Sequence, residues 1–62
     1  MPLTPKEIVK ILEENGFYCA RQNGSHRFYK NDSTGKVTTV PMHAKELKKG
    51  TEQKILKDAG LK

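Results

Sequence analysis

Residues 17–40 decide the fold, and their sequence is FYCARQNGSHRFYKNDSTGKVTTV. Two turn signals divide this stretch, because Asn23-Gly24 is typical of a hairpin and Asp32-Ser33-Thr34-Gly35 is rich in turn-forming residues. Aromatic and β-branched side chains favour strands between these turns, and Pro41 closes the last of them. We therefore predict three antiparallel strands, over residues 17–22, 25–31 and 36–40.

A helix is predicted before the strands. Thr4 is placed to cap it, Pro5 fits the first helical position, and Glu7 completes a capping box. Asn15-Gly16 supplies the left-handed exit that ends the helix. One apolar face at helical spacing is formed by Ile8, Ile11 and Leu12.

A second helix is predicted after the strands. Residues 44–49 are expected to form an irregular or single-turn piece that Gly50 stops. Thr51 is then the predicted N-cap, and Gly60 ends the helix. Leu61 is expected to fold back onto the helix end. The predicted buried face consists of Ile55, Leu56 and Ala59.

The predicted element order is α-β-β-β-α, an α+β fold with both helices on one face of a three-stranded antiparallel sheet. The 62 residues suffice for a single domain, residues 1–62. No run approaches the roughly 20 apolar residues of a membrane span, and residues 1–6 lack the apolar stretch of a secretory signal. A lone cysteine, Cys19, cannot form an internal disulfide. We expect a cytoplasmic protein that does not contact membranes.

Positive charge is concentrated in the middle of the chain. The net charge is +5, and residues 21–49 hold seven Lys and Arg against Asp32 and Glu46. Such a concentration attracts phosphates, whereas scattered lysines only keep a small domain soluble. Because this segment also holds both histidines, we favour a polyanionic ligand such as RNA. The candidate RNA-binding cations are Arg21, Arg27, Lys30 and Lys36.

Two histidines carry the candidate chemistry. His26 follows the small Gly24-Ser25 step, which would let a ligand backbone approach closely, and imidazole suits proton transfer near neutral pH. RNA supplies its own nucleophile, the 2′-hydroxyl, so a base, an acid and a cation suffice to cut it without a cofactor. We interpret His26 as the base, His43 as a possible acid, and Arg27 or Lys30 as the cation.

Ser25 and His43 are also possible substrate contacts, and Gly24 is a possible contact to the RNA backbone. Two histidines without clustered carboxylates or thiolates make a poor ligand set, so we expect no metal site. His26 could equally be an ordinary strand histidine, and His43 could simply bond the backbone. The alternation along residues 27–30 leaves open which face the helices cover.

Two other functions fit the same residues. The chain could be a non-catalytic RNA-binding module that uses the basic stretch 21–49. It could instead be a protein-interaction domain whose open sheet edge or basic face docks an acidic partner. Loss of function on removing only the His26 imidazole would separate an enzyme from either alternative.

Three motifs occur in order along nearly the whole chain, from Leu3 to Leu61. They are Gly24-Ser25-His26-Arg27-x-Tyr29, Val40-Pro41-x-His43 and Gly50-Thr51-x-x-x-Ile55-Leu56-x-x-Ala59-Gly60-Leu61. Together they resemble the HicA (YcfA-like) toxin family. The resemblance implies a fold similar to the double-stranded-RNA-binding domain. It also implies a ribosome-independent mRNA interferase of a type II toxin-antitoxin system, paired with a HicB antitoxin.

The same resemblance points to individual residues. The active-site histidine of the family lies in the Gly-Ser-His motif, so that role carries over to His26. His43 matches the recurrent Pro-x-His position.

Overall fold

A computed structural model describes residues 3–61 and contains two helices and one three-stranded sheet. The elements are α1 (Pro5–Glu14), β1 (Tyr18–Asn23), β2 (His26–Asn31), β3 (Lys36–Pro41) and α2 (Lys49–Asp58). The predicted α-β-β-β-α order is confirmed, and each strand lies within one residue of its predicted bounds. Within the part of the chain that the structure describes, no helix is long and apolar enough to cross a bilayer.

α1 begins with the predicted capping box. The Thr4 amide donates to Glu7 Oε1 at 2.9 Å, and the Glu7 amide donates to Thr4 Oγ1 at 3.2 Å. The hydrogen bond from the Thr4 amide also holds the pKa of Glu7 below its ordinary value. Two amides that the helix leaves without an internal partner are thereby satisfied.

The buried face of α1 is rotated from the predicted one. Ile8 and Leu12 are buried as predicted, but Val9 is buried and Ile11 is only half-buried. Because Pro5 is buried as well, the covered stripe is centred toward Val9. Helical spacing defines the period of an apolar stripe, whereas packing against the sheet determines which residues lie at the centre of the buried face.

Both helices end as predicted, at a glycine in the left-handed conformation. Gly16 has φ +90° and Gly60 has φ +75°. The residue after each glycine folds back, and its amide donates to a carbonyl of the last helical turn, at 3.0 Å for Phe17 and 2.8 Å for Leu61. This Schellman geometry returns Phe17 and Leu61 to the core.

β2 is the central strand and pairs antiparallel with β1 and β3. Its residues alternate between the Phe28 face, which carries His26, Phe28 and Lys30, and the Tyr29 face, which carries Arg27, Tyr29 and Asn31. Tyr29 is 1% exposed, whereas Phe28 is half-buried. Thr38, opposite Tyr29 on β3, donates its hydroxyl to the carbonyl of Ile55 in α2 at 3.3 Å. The helices therefore pack on the Tyr29 face.

The first hairpin turn lies one residue later than predicted. Its loop is Gly24-Ser25, because Asn23 already pairs with His26. Gly24 has φ +61°, while no described non-glycine residue has a positive φ. A glycine at the first of two loop positions is the pattern of a type II′ turn. His26 is consequently the first residue of β2.

The predicted start of α2 is wrong. Thr51 lies inside the first turn, and Lys48 is the N-cap, without a side-chain capping bond. The Glu52 amide donates to the Lys48 carbonyl at 2.8 Å, so helical bonding passes through Gly50. A glycine keeps its amide and costs a helix only backbone entropy, roughly 0.5–1 kcal/mol relative to alanine, so it does not break the helix here. Of the two forms predicted for residues 44–49, the irregular one is found, and it extends to residue 48.

One core joins both helices to the Tyr29 face. Leu47, from the irregular segment before α2, is buried in it, and its amide donates to the Leu3 carbonyl at 2.7 Å. Leu56, predicted to be buried, is half-buried at its margin. The core residues are Ile8, Val9, Leu12, Phe17, Tyr29, Val40, Leu47, Ile55 and Ala59.

Candidate active site

The Gly24-Ser25 loop presents His26 at the end of the sheet. His26 is exposed and pairs with Asn23 on one side and Pro41 on the other. A Cβ placed on Gly24 would meet no atom within 4 Å, so the glycine is needed for its positive φ and not for tight packing. The surface around the turn is open to a ligand.

The fold brings His43 next to His26. Their ring centroids are 5.6 Å apart, with the ring planes inclined at 65°. Ser25 Oγ lies 3.1 Å from His43 Nδ1, and the Met42 amide donates to the Ser25 carbonyl at 2.7 Å. The hairpin loop thus holds the segment after β3 by one backbone bond and one side-chain bond. Three residues from two distant motifs form one cluster, Ser25, His26 and His43.

The Ser25–His43 contact leaves His43 Nε2 available for chemistry. When the Ser25 hydroxyl donates to Nδ1, the neutral ring carries its proton on Nε2, but only the doubly protonated ring is acidic enough to act as a general acid. When His43 is doubly protonated, Nδ1 donates to Ser25 Oγ and Nε2 again carries a proton. Either arrangement orients the ring, and His26 supplies a second imidazole beside it.

Arg27 lies on the opposite face of the sheet from His26. It shares the Tyr29 face with the helices, and its Nε is buried without a hydrogen-bond partner. Hydrogen bonding to Tyr29 raises the pKa of the Arg27 guanidinium. Arg27 therefore neighbours the core, and the structure does not bring it together with His26 as the sequence-based interpretation supposed. Strict alternation along β2 is the reason.

Lys30 and Lys36 lie toward the far end of the sheet. Lys30 is on the Phe28 face, but four residues along β2 from His26, which is about 13 Å. Its Nζ lies 3.8 Å from Asp32, which also accepts a hydrogen bond from the Tyr18 hydroxyl. Partial burial and then the Asp32 carboxylate raise the pKa of Tyr18. Lys36 begins β3 beyond Lys30, so neither lysine neighbours the histidines.

Arg21 shares the Phe28 face of the sheet with His26. A β-bulge between Cys19 and Arg21 shifts the register of β1, so that Arg21 pairs with Phe28. The Arg21 guanidinium carbon lies 4.7 Å from the centre of the Phe28 ring, a cation–π contact. Phe28 follows His26 by two residues on the same face, about 7 Å along the strand.

A groove of about 590 Å³ opens beside Phe28. It extends from the Phe28 face around the edge strand β3 to one side of α2, because Tyr29, Thr38 and Ile55 of the covered face also line it. Sequence reasoning missed the groove because it depends on how α2 lies along β3. The bulge that places Arg21 has no sequence signal either, whereas the aromatic run after His26 did indicate a ring at Phe28. The polar and aromatic lining includes Arg21, Phe28, Thr39, Thr51, Lys54 and Asp58.

Comparison with known proteins gives one family match. A family model described as "HicA toxin of bacterial toxin-antitoxin" matches residues 5–61, which include the histidine cluster and the groove. No curated protein matches the chain.

Proposed function

Since the chain belongs to the HicA toxin family of bacterial toxin-antitoxin systems, we propose that it is an mRNA interferase, an endoribonuclease that cuts single-stranded RNA with His26. The observation that carries this proposal is the 5.6 Å separation of the His26 and His43 rings. Two exposed imidazoles in edge-to-face contact at this spacing can both reach the same phosphodiester. The toxin would act in the cytoplasm, where mRNA is found.

The proposed reaction needs only the RNA and two imidazoles. His26 accepts the proton of the 2′-hydroxyl, and the 2′-oxygen attacks the adjacent phosphorus. The bond from phosphorus to the 5′-oxygen breaks as the doubly protonated His43 donates its Nε2 proton to that oxygen and becomes neutral. The products are a 2′,3′-cyclic phosphate and a 5′-hydroxyl end. Such general acid–base catalysis contributes about 10²- to 10⁴-fold to the rate.

Arg21 is the cation that we assign to the substrate phosphates. It lies on the Phe28 face with His26, whereas Arg27 lies on the Tyr29 face and Lys30 already pairs with Asp32. A guanidinium near the reacting phosphate would stabilise the negative charge that develops on the phosphorus oxygens. Ser25 contributes by orienting His43.

The family membership implies an antitoxin partner. We propose a HicB-like antitoxin with an acidic surface that covers His26. The histidine cluster and the surrounding positive charge would then be neutralised together. Since His26 and the groove are open at the surface, inhibition by direct occlusion is the simplest arrangement.

Cleavage is expected to persist in excess chelator. The 2′-hydroxyl is the nucleophile and the two imidazoles move both protons, so the reaction described above uses no metal ion. The purified protein is incubated with labelled RNA and a chelator, and the products are separated on a denaturing gel. A parallel preparation of His26→Ala reveals any contaminating ribonuclease. Activity that disappears in chelator and returns with a divalent metal would contradict the two-imidazole mechanism.

Removing the Arg21 charge is expected to weaken RNA binding and flatten its dependence on salt. Loss of one phosphate contact lowers the slope of log affinity against log salt by roughly 0.7 for a single strand. Fluorescence anisotropy with a 2′-O-methyl oligonucleotide, which lacks the nucleophile, measures binding without cleavage. Lys10→Ala, which removes an exposed charge from α1, is the matched control for Arg21→Ala. If the two substitutions had equal effects on RNA affinity and its salt dependence, Arg21 would not be a specific contact to the RNA.

A further inference from the structure

The groove beside Phe28 combines an aromatic face with groups that both donate and accept hydrogen bonds. The Phe28 ring lines the groove and is half-buried, and the Arg21 guanidinium is stacked on the ring at 4.7 Å. Thr39, from β3, and Thr51, from α2, contribute hydroxyls. At one side of the groove, the α2 residues Lys54 and Asp58 add a donor and an acceptor.

A nucleobase has the chemistry that this lining would recognise. Its flat face stacks on aromatic rings and on guanidinium planes. Its edge presents both donors and acceptors, which hydroxyls, an ammonium group and a carboxylate can satisfy. The volume of about 590 Å³ has room for a base together with its ribose.

The position of Phe28 relates the groove to the histidine cluster. Phe28 lies about 7 Å from His26 along the same face of β2. That separation is comparable to the reach from a phosphate to the base of its own nucleotide. A phosphodiester bound by His26 and His43 would therefore place a neighbouring base over Phe28.

We propose that this groove is a binding subsite for one unpaired nucleobase of single-stranded RNA, with Phe28 and Arg21 as its stacking surface. The inference rests on the proposed function for the identity of the polymer. Bases inside a duplex are stacked on their neighbours and cannot reach such a groove, so the subsite selects single-stranded RNA. The base stacks on the outer side of the Arg21 guanidinium or takes its place on the Phe28 ring.

A tryptophan reporter tests the subsite directly. The chain contains no tryptophan and two tyrosines, so Phe28→Trp introduces a single tryptophan into the groove, and its emission can be excited selectively. We expect a 2′-O-methyl oligonucleotide to quench this fluorescence, because a base stacks on the indole. An abasic oligonucleotide of equal length and charge should leave it nearly unchanged. Tyr18→Trp, on the same face but outside the groove, is the matched control and should respond to neither.

The affinity should also depend on the aromatic ring. Phe28→Leu is expected to weaken binding of the base-bearing oligonucleotide by about fivefold to a hundredfold, with abasic binding unchanged. Phe28→Tyr should retain the affinity. Circular dichroism and thermal melting verify folding, and if Phe28→Leu does not fold, the Phe28→Trp titration and the Phe28→Tyr affinity decide the question.

Several results would overturn the subsite. One is equal quenching by base-bearing and abasic strands, and another is equal quenching at positions 18 and 28. A third is fluorescence at position 28 that responds only to the antitoxin, which would assign the groove to the protein partner. The catalytic proposal fails separately. If the wild-type protein did not cleave RNA but the Phe28→Trp fluorescence still distinguished base-bearing from abasic strands, the catalytic proposal would be wrong. The proposal of a base-binding subsite would still hold.

Discussion

His26→Ala is expected to lose RNA cleavage by about two orders of magnitude or more, the usual cost of removing a general acid–base group. The variant should stay folded, because His26 is exposed and lies outside the core. It should also keep its RNA affinity within a few-fold, since phosphate contacts supply most of the binding. Single-turnover cleavage and anisotropy on the same preparation separate the two quantities. Expression in cells should become harmless in parallel.

His43→Ala provides the comparison at the second imidazole. As the proposed acid, it should reduce cleavage substantially but less than His26→Ala, because water can protonate the leaving oxygen in its place. An unchanged cleavage rate for His43→Ala would show that His43 is not the acid and only forms a hydrogen bond with Ser25. If the His26→Ala protein cut RNA at nearly the wild-type rate, the active site would have to lie elsewhere in the chain. The non-catalytic RNA-binding module would then be the better account of the motif.

Leu12→Ala is expected to remove about half of the domain's free energy of unfolding. Leu12 is fully buried between α1 and the sheet, and such a truncation costs about 2–5 kcal/mol in free energy of unfolding. Domains have only roughly 0.05–0.15 kcal/mol of stability per residue, which for this chain is about 3–9 kcal/mol. Urea unfolding followed by circular dichroism measures the difference.

Ile11→Ala is the matched control on the same helix. Ile11 is half-buried, so its truncation should cost about 1 kcal/mol or less, partly offset by the better helix propensity of alanine. If Ile11→Ala destabilised the protein as much as Leu12→Ala, the stripe centred toward Val9 would be wrong. The orientation of α1 on the sheet would then need revision.

Elements with short-range signals were predictable from the sequence. The capping box of Thr4 and Glu7, and the left-handed glycines Gly16 and Gly60, involve groups only a few residues apart. α2 was the exception among the termini, because Lys48 caps it without a side-chain bond and so leaves no recognisable signal. Gly50, which is typical of a break in a helix, is accommodated in the first turn.

The candidate site was predictable only in part. The Gly24-Ser25-His26 motif and the Pro-x-His motif indicated both histidines, but not that they would meet. Their meeting depends on the pairing of β2 with β3, which aligns His26 with Pro41. The contact between Ser25 and His43 then spans 18 residues of sequence, and no local pattern encodes it.

By itself, then, the sequence determined the order of the elements, their turns and most of their ends, because these follow from bonds between near neighbours. Only the tertiary structure decided which residues face the substrate. Burial of Tyr29 against both helices directs Arg27 to the covered face and leaves His26 and Phe28 on the other. Alternation makes these two outcomes equivalent from the sequence alone. The packing of the whole core against one face of β2 is what distinguishes them.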